Sequence, residues 1–257
     1  DKKQISKVIF PRFHQLDATR QIQQAVLSEG AGQKYLIQHS AGSGKTNSIA
    51  WSAHFLADLH DADNKKVFDS VLVVSDRKVI DGQLQDAIDA FERTTGVVAT
   101  IKGEKGSKST ELAEALSGDK KVVVCTIQTF PKALEKVREL AATEGKRFAV
   151  IADEAHSSQS GEAASKLKQL LSAEEQQELA DGGSFSTEDI LAAEMSARAS
   201  DQGITYVAFT ATPKAKTLEL FGRRPDPSQP ASEGNLPEPF HVYSMRQAIE
   251  EGFILDV

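Results

Sequence analysis

At 257 residues, with 40% hydrophobic and 26% charged, the chain has the balance of a globular protein with a sizeable core, which excludes wholesale disorder. No apolar run approaches the roughly 18 residues of a membrane-crossing helix, and the lone cysteine, Cys125, excludes an internal disulfide and fits a reducing cytoplasm. The net charge of −7, from 30 Lys plus Arg against 37 Asp plus Glu, excludes nucleic-acid binding through bulk charge and leaves a local patch as the only route.

Short apolar runs rich in Val and Ile recur at residues 35–38, 70–75, 97–101, 121–126, 148–152 and 205–209. They do not alternate with polar residues, which is the pattern of strands buried on both faces. Helical spacing lies between them at 46–60, 79–91, 131–142 and 214–221. Strand–helix alternation at this interval predicts right-handed crossovers and a mostly parallel sheet, a doubly wound α/β domain. A polar insertion at 157–200 interrupts the rhythm, and Ser186 with Asp189 forms a capping-box pattern for a helix within it. Residues 225–239 hold five of the eight prolines, a density that predicts a linker or an extended excursion. Residues 241–257 resume a helical pattern. The expected organisation is a sheet domain over 1–224, followed over 225–257 by a Pro-rich connection toward a second domain.

Gly42-Ser43-Gly44-Lys45-Thr46 directly follows the first strand and opens a helix. Glycines let the backbone turn its N–H groups toward phosphate oxygens, and the helix start adds unpaired N–H groups and a positive dipole end. Lys45 is placed to reach the β and γ phosphates and the Thr46 hydroxyl to ligate Mg²⁺. The generic pattern asks for glycine at position 39, where this chain has His39.

The fifth apolar run ends in Asp153-Glu154-Ala155-His156. Alone, two adjacent acids are ordinary solvated polarity at a strand end. Beside a phosphate loop they complete a nucleotide-hydrolysing site: Asp153 holds Mg²⁺ through its water shell and Glu154 orients and deprotonates the attacking water.

These residues resemble a family. Asp153-Glu154-Ala155-His156 is similar to the DEAH form of motif II of superfamily 2 helicases, and the loop at 42–46 to their motif I. Thr210-Ala211-Thr212-Pro213 resembles motif III, which couples hydrolysis to movement through Thr210 and Thr212. Ser75-Asp76-Arg77 and Thr126-Ile127-Gln128-Thr129 resemble motifs Ia and Ib, which contact the nucleic-acid backbone. Taken singly, Arg77, Gln128 and Thr129 fit plain surface polarity equally well. Arg12-Phe13-His14-Gln15 resembles the adenine-reading Q motif, in which a Gln amide pairs with the N6 donor and N7 acceptor of adenine. His156, by the same likeness, links motif II to Thr210 and Thr212.

Within superfamily 2 the chain is most similar to the motor (R) subunit of type I restriction enzymes. Gln38-His39-Ser40-Ala41 leading into the loop, Val74-Ser75-Asp76-Arg77 and Tyr243-Ser244-Met245-Arg246-Gln247-Ala248-Ile249 carry that likeness, and His39 is ordinary there. The resemblance implies a RecA-like ATPase domain with ATP and Mg²⁺ as cofactors. It also implies translocation along double-stranded DNA before cleavage by a nuclease domain, in a bacterial or archaeal cytoplasm. Implied partners are a second RecA-like domain carrying an arginine finger, and methyltransferase and specificity subunits. No Gln-x-x-Gly-Arg-x-x-Arg segment occurs in the chain, and Asp119-Lys120-Lys121 and Glu144-Gly145-Lys146 are chance-level nuclease triplets. Two alternatives stay open: another superfamily 2 DNA or RNA helicase, and a nucleotide-binding interaction module that does not hydrolyse.

Overall fold

The computed structural model describes residues 10–75, 83–90, 96–101, 107–127, 129–153 and 203–253. Its elements in chain order are α1 (Phe13–Glu29), β1 (Lys34–His39), α2 (Lys45–Ala57), β2 (Ser70–Ser75), α3 (Gln83–Ala90), β3 (Val98–Thr100) and α4 (Lys108–Ser117). There follow β4 (Val122–Thr126), α5 (Phe130–Glu144), β5 (Phe148–Asp153), β6 (Ile204–Thr210), α6 (Ala215–Phe221), β7 (His241–Tyr243) and α7 (Met245–Glu250). The insertion at 157–200, with its Ser186 capping pattern, lies outside the described residues. None of the described helices is long and apolar enough to cross a membrane.

The strands form one seven-stranded sheet in the order β3-β4-β2-β5-β6-β1-β7, parallel at every pairing. Every residue of β2, β4, β5 and β6 is buried, which explains why these runs show no polar alternation in sequence. Alternate side chains feed two cores. Leu72, Val74, Val123, Cys125 and Val150 meet Leu134 and Val137 of α5 on one face. Val71, Val73, Val124, Ile151 and Phe209 meet Ile22 of α1, Ile49 and Leu56 of α2 and Ile88 of α3 on the other. Each fully buried Leu, Ile or Phe contributes about 1.5–3 kcal/mol relative to exposure, so the double-faced strands anchor the fold.

Element by element, the helix expected at 46–60 runs Lys45–Ala57, and the described part of that expected at 79–91 is Gln83–Ala90. The largest difference concerns the far end of the chain. The sheet does not end near Arg224: β7 pairs in parallel with β1, His39 opposite Tyr243. Three residues are too short to leave a strand periodicity, so a helical pattern over 241–257 masks them; α7 itself begins only at Met245.

The Pro-rich stretch leading to β7 is folded onto itself around Asn235. The Asn235 amide donates to the carbonyls of Asp226, Gln229 and Pro230 at 2.9, 3.3 and 3.1 Å, and its Oδ1 accepts from the Asp226 N–H at 2.9 Å. A buried amide thus replaces the ladder bonds that proline cannot donate. Arg223 fastens the base of the excursion: it donates to both carboxylate oxygens of Glu29 at 2.7 and 2.8 Å and to the Lys34 carbonyl at 3.2 Å. Its guanidinium lies 4.5 Å from the centre of the Tyr35 ring.

Candidate nucleotide site

Because the sheet is parallel, the C-terminal ends of β1, β2, β4, β5 and β6 share one edge, where open α/β sheets bind ligands. His39, Ser75, Thr126, Asp153 and Thr210 are the last residues of those strands. The register sets Ser75 opposite Thr126, Gln38 opposite Thr210 and Asp153 opposite Phe209.

Residues 40–44 link β1 to α2. Gly42 and Gly44 have φ of 76° and 80°, the left-handed region that an L side chain enters only with strain. Gly44 caps α2, and a Cβ there would sit 2.6 Å from Nε2 of Gln15. The loop therefore closes tightly over the start of α2, whose first N–H groups have no intrahelical acceptor. Lys45 Nζ donates to the carbonyls of His39 and Ser40, each at 3.2 Å, so the ammonium sits within the loop. Thr46 is the second residue of α2 and half-buried. Ser43 is buried beneath the loop.

Asp153 is 8% exposed at the end of β5. Burial pushes its carboxyl up to about 6, and the nearby charge of Lys45 pulls it back. A buried acid within reach of the loop lysine is suited to a site where a cation is to be held, because added positive charge favours its ionised form. Thr46 and Asp153 supply the hard oxygen donors that Mg²⁺ takes, and the glycine-lined loop supplies the phosphate cradle, so the residues present fit Mg-ATP.

Gln15 is placed differently from the sequence expectation. It is 3% exposed, its amide donates to the carbonyls of Gly44 and Ser43 at 2.9 and 3.3 Å, and its Oε1 accepts from the Arg12 N–H at 2.9 Å. Both amide hydrogens are committed to the loop, so in this geometry Gln15 sets the loop and has no donor left for adenine N7. The Arg12 guanidinium lies 3.9 Å from the centre of the Phe253 ring.

The residues expected to contact DNA or couple motion divide. Ser75 is buried and its hydroxyl has no partner among the described residues. Thr126 and Thr129 are buried too, their hydroxyls 3.1 Å apart, bracing the turn into α5. Their side chains are therefore turned inward. Thr210 is fully buried and its hydroxyl accepts from the Thr212 N–H at 3.2 Å, a turn that leaves Thr212 exposed. Arg77, Gln128, Glu154 and His156 lie outside the described residues.

Sequence reasoning missed the backing of the loop. His14 Nε2 lies 2.9 Å from the Ser43 carbonyl, and its ring stacks on Tyr243 at 3.7 Å with an 8° interplanar angle. The His14 ring also meets His39 edge-on, centroids 5.3 Å apart, and the signal was His39: a histidine at the position reserved for glycine has to be packed against something.

The chain was compared with known proteins. The SWI2/SNF2 ATPase family matches over residues 14–257. No curated protein sequence matches. Similar solved structures include the crystal structure of the Pyrococcus furiosus Hef helicase domain, at 16% identity and TM-score 0.46, over 82% of this chain and 35% of that one. Another is a nuclease-deletion mutant of the Type ISP restriction-modification enzyme LlaGI in complex with a DNA substrate mimic, at 17% identity and TM-score 0.50. That match covers 95% of this chain and 21% of the enzyme. The chain thus spans about a third and about a fifth of these two proteins, and the LlaGI likeness speaks for the fold alone. With a family match that spans nearly every residue, this chain belongs to the SWI2/SNF2 ATPase family.

Proposed function

We propose that the chain is the Mg-ATP-binding half of a motor that moves along double-stranded DNA, of the kind found in type I restriction enzymes. The observation that carries this reading is that the glycine loop leading into Lys45 follows the C-terminal end of β1, and the buried Asp153 ends β5 at the same edge of the parallel sheet. The loop N–H groups and Lys45 bind the triphosphate, and Thr46 and Asp153 hold the metal. Bound Mg²⁺ supplies charge neutralisation of the phosphate oxygens. Glu154, the next residue after Asp153, orients the attacking water and takes its proton, and Thr210 and Thr212 pass the change at the phosphates to the rest of the motor. His156 links the acidic segment to them. Ser75, Arg77, Thr126, Gln128 and Thr129 mark the nucleic-acid track, with the Thr126 and Thr129 hydroxyls facing each other across their turn. The DNA substrate mimic bound by LlaGI supports DNA as the substrate class.

An arginine finger is not encoded here, so it comes from a second RecA-like domain. The same larger enzyme would supply the nuclease domain and the methyltransferase and specificity subunits. The test separates binding from chemistry. Lys45→Ala should lower both Mg-ATP affinity and hydrolysis, because Lys45 meets the phosphates in the ground state. Glu154→Gln should keep ATP bound, lower hydrolysis roughly 10²–10⁴-fold and abolish triplex displacement from linear duplex DNA in the intact motor. Displacement by Glu154→Gln at the wild-type rate would remove Glu154 from the chemistry and with it this reading.

A further inference from the structure

His39, at the position the generic loop pattern gives to glycine, is fully buried. Its Nε2 lies 2.9 Å from Nδ1 of His241 in β7, and Nε2 of His241 lies 3.2 Å from Oδ2 of Asp17 in α1. Asp17 also accepts from the Gln21 amide at 2.9 Å. Beside this chain of groups the Ser40 N–H donates to the Tyr243 carbonyl at 2.9 Å, and Lys45 Nζ rests on the carbonyl of His39 itself. Three segments remote in sequence therefore converge on the first residues of the phosphate loop.

We propose that Asp17, His241 and His39 form a proton-ordered relay that positions the phosphate loop for a nucleoside triphosphate, with His241 the positioning residue supplied by β7. The relay rests on the reading of the loop as a nucleotide site.

The direction of the protons follows from the donors available. An ionised carboxylate only accepts, so Nε2 of His241 carries a proton toward Asp17. Nδ1 of a neutral His241 is then a lone pair, and His39 must donate to it from Nε2. Nδ1 of His39 is left bare, and that atom is buried with no partner among the described residues. Burial, with the charges of His241, His14 and Lys45 acting in the same sense, pushes the His39 imidazole down to about 3, so His39 stays neutral. Packing alone would be served by an apolar side chain. A carboxylate and two imidazoles in sequence fix a distance and a direction together.

The charged and titratable groups facing the two rings are His14 and Asp17 from α1 and Lys45 from α2, while Arg12 and Glu251 act on His14.

The test uses the whole 257-residue chain. Long-range ¹⁵N–¹H NMR of the imidazoles should find His39 as the Nε2–H tautomer at neutral pH. Calorimetry with Mg-ATP and Mg-CTP should show His241→Gln and Asp17→Ala each weakening both nucleotides about three- to tenfold, the worth of one buried hydrogen bond. Asp17→Asn, which still accepts, should restore most of that loss, a rescue that filled space alone does not predict. A wild-type chain that binds neither nucleotide overturns the nucleotide site and the relay with it. Binding by the wild type, with unchanged affinity in His241→Gln and Asp17→Ala, overturns the relay and leaves the site standing. The NMR result needs no variant to fold, and His39 found as Nδ1–H at neutral pH overturns the relay by itself.

Discussion

Substituting Gly44 by alanine should disturb the loop through two separable routes. An L residue held at φ 80° carries a backbone penalty of about 1–2 kcal/mol. Its Cβ would also lie 2.6 Å from Nε2 of Gln15, forcing that amide off the Gly44 and Ser43 carbonyls. Two neutral hydrogen bonds are worth about 1–3 kcal/mol net, so Gly44→Ala should lose about 2–5 kcal/mol in all. Gln15→Ala breaks the same two bonds and the one from the Arg12 N–H, a loss of about 2–4 kcal/mol. In the double variant the clash has no target and the shared bonds are lost once. Urea unfolding should therefore find the double variant about 1–3 kcal/mol more stable than the sum of the two single losses, leaving only the backbone penalty to add. Additivity to within about 0.5 kcal/mol would show that Gln15 does not hold the loop. The same Gln15→Ala protein should lose affinity for ATP and CTP alike; a loss confined to ATP would mean that the amide leaves the loop to read adenine.

Two further outcomes follow from charge and burial. Hydrogen bonding to Arg223 holds the Glu29 carboxyl below the usual carboxylate range, so this pair contributes stability above the unfolded pKa and loses it as pH falls through the folded one. Arg223→Ala should lower stability by about 1 kcal/mol at neutral pH and flatten the acid limb of the stability profile; an unchanged limb refutes the assignment. Cys125 is fully buried and burial pushes its thiol up to about 12, so native labelling by a thiol reagent at neutral pH should run no faster than global unfolding, and rapid labelling of the folded chain would contradict the packing.

The interior of the sheet was legible because strands buried on both faces leave unbroken apolar runs, as Val71–Val74 and Val122–Cys125 do. The phosphate loop was legible because glycine at a left-handed position and lysine at a helix start are local requirements. What could not be read was non-local. Gln15 looks the same in sequence whether its amide faces a base or the carbonyls of Ser43 and Gly44. The hydroxyls of Thr126 and Thr129 spend themselves on each other, a choice set by a turn only three residues long. The return of the chain at β7 hangs on Arg223 and Asn235, whose contacts span an excursion that proline content alone describes as a linker. The helix after it was legible as the helical pattern over 241–257, and in the structure a capping box of Ser244 and Gln247 starts it.

The strand order also dictates when the loop can acquire its support during synthesis. β2, β4 and β5 pair among themselves, and all three have emerged by residue 153. Among the described residues, β1, which leads into the glycine loop, has its sheet neighbours in β6 and β7, more than 160 residues farther along. At translation speeds of about 5–20 residues per second, the loop strand waits on the order of ten to forty seconds before its last partner is made. Until β6 is made, the β1 strand has no sheet to join, and β7 adds its second neighbour later still. The strand that leads into the proposed nucleotide loop is thus among the last to find its place in the sheet.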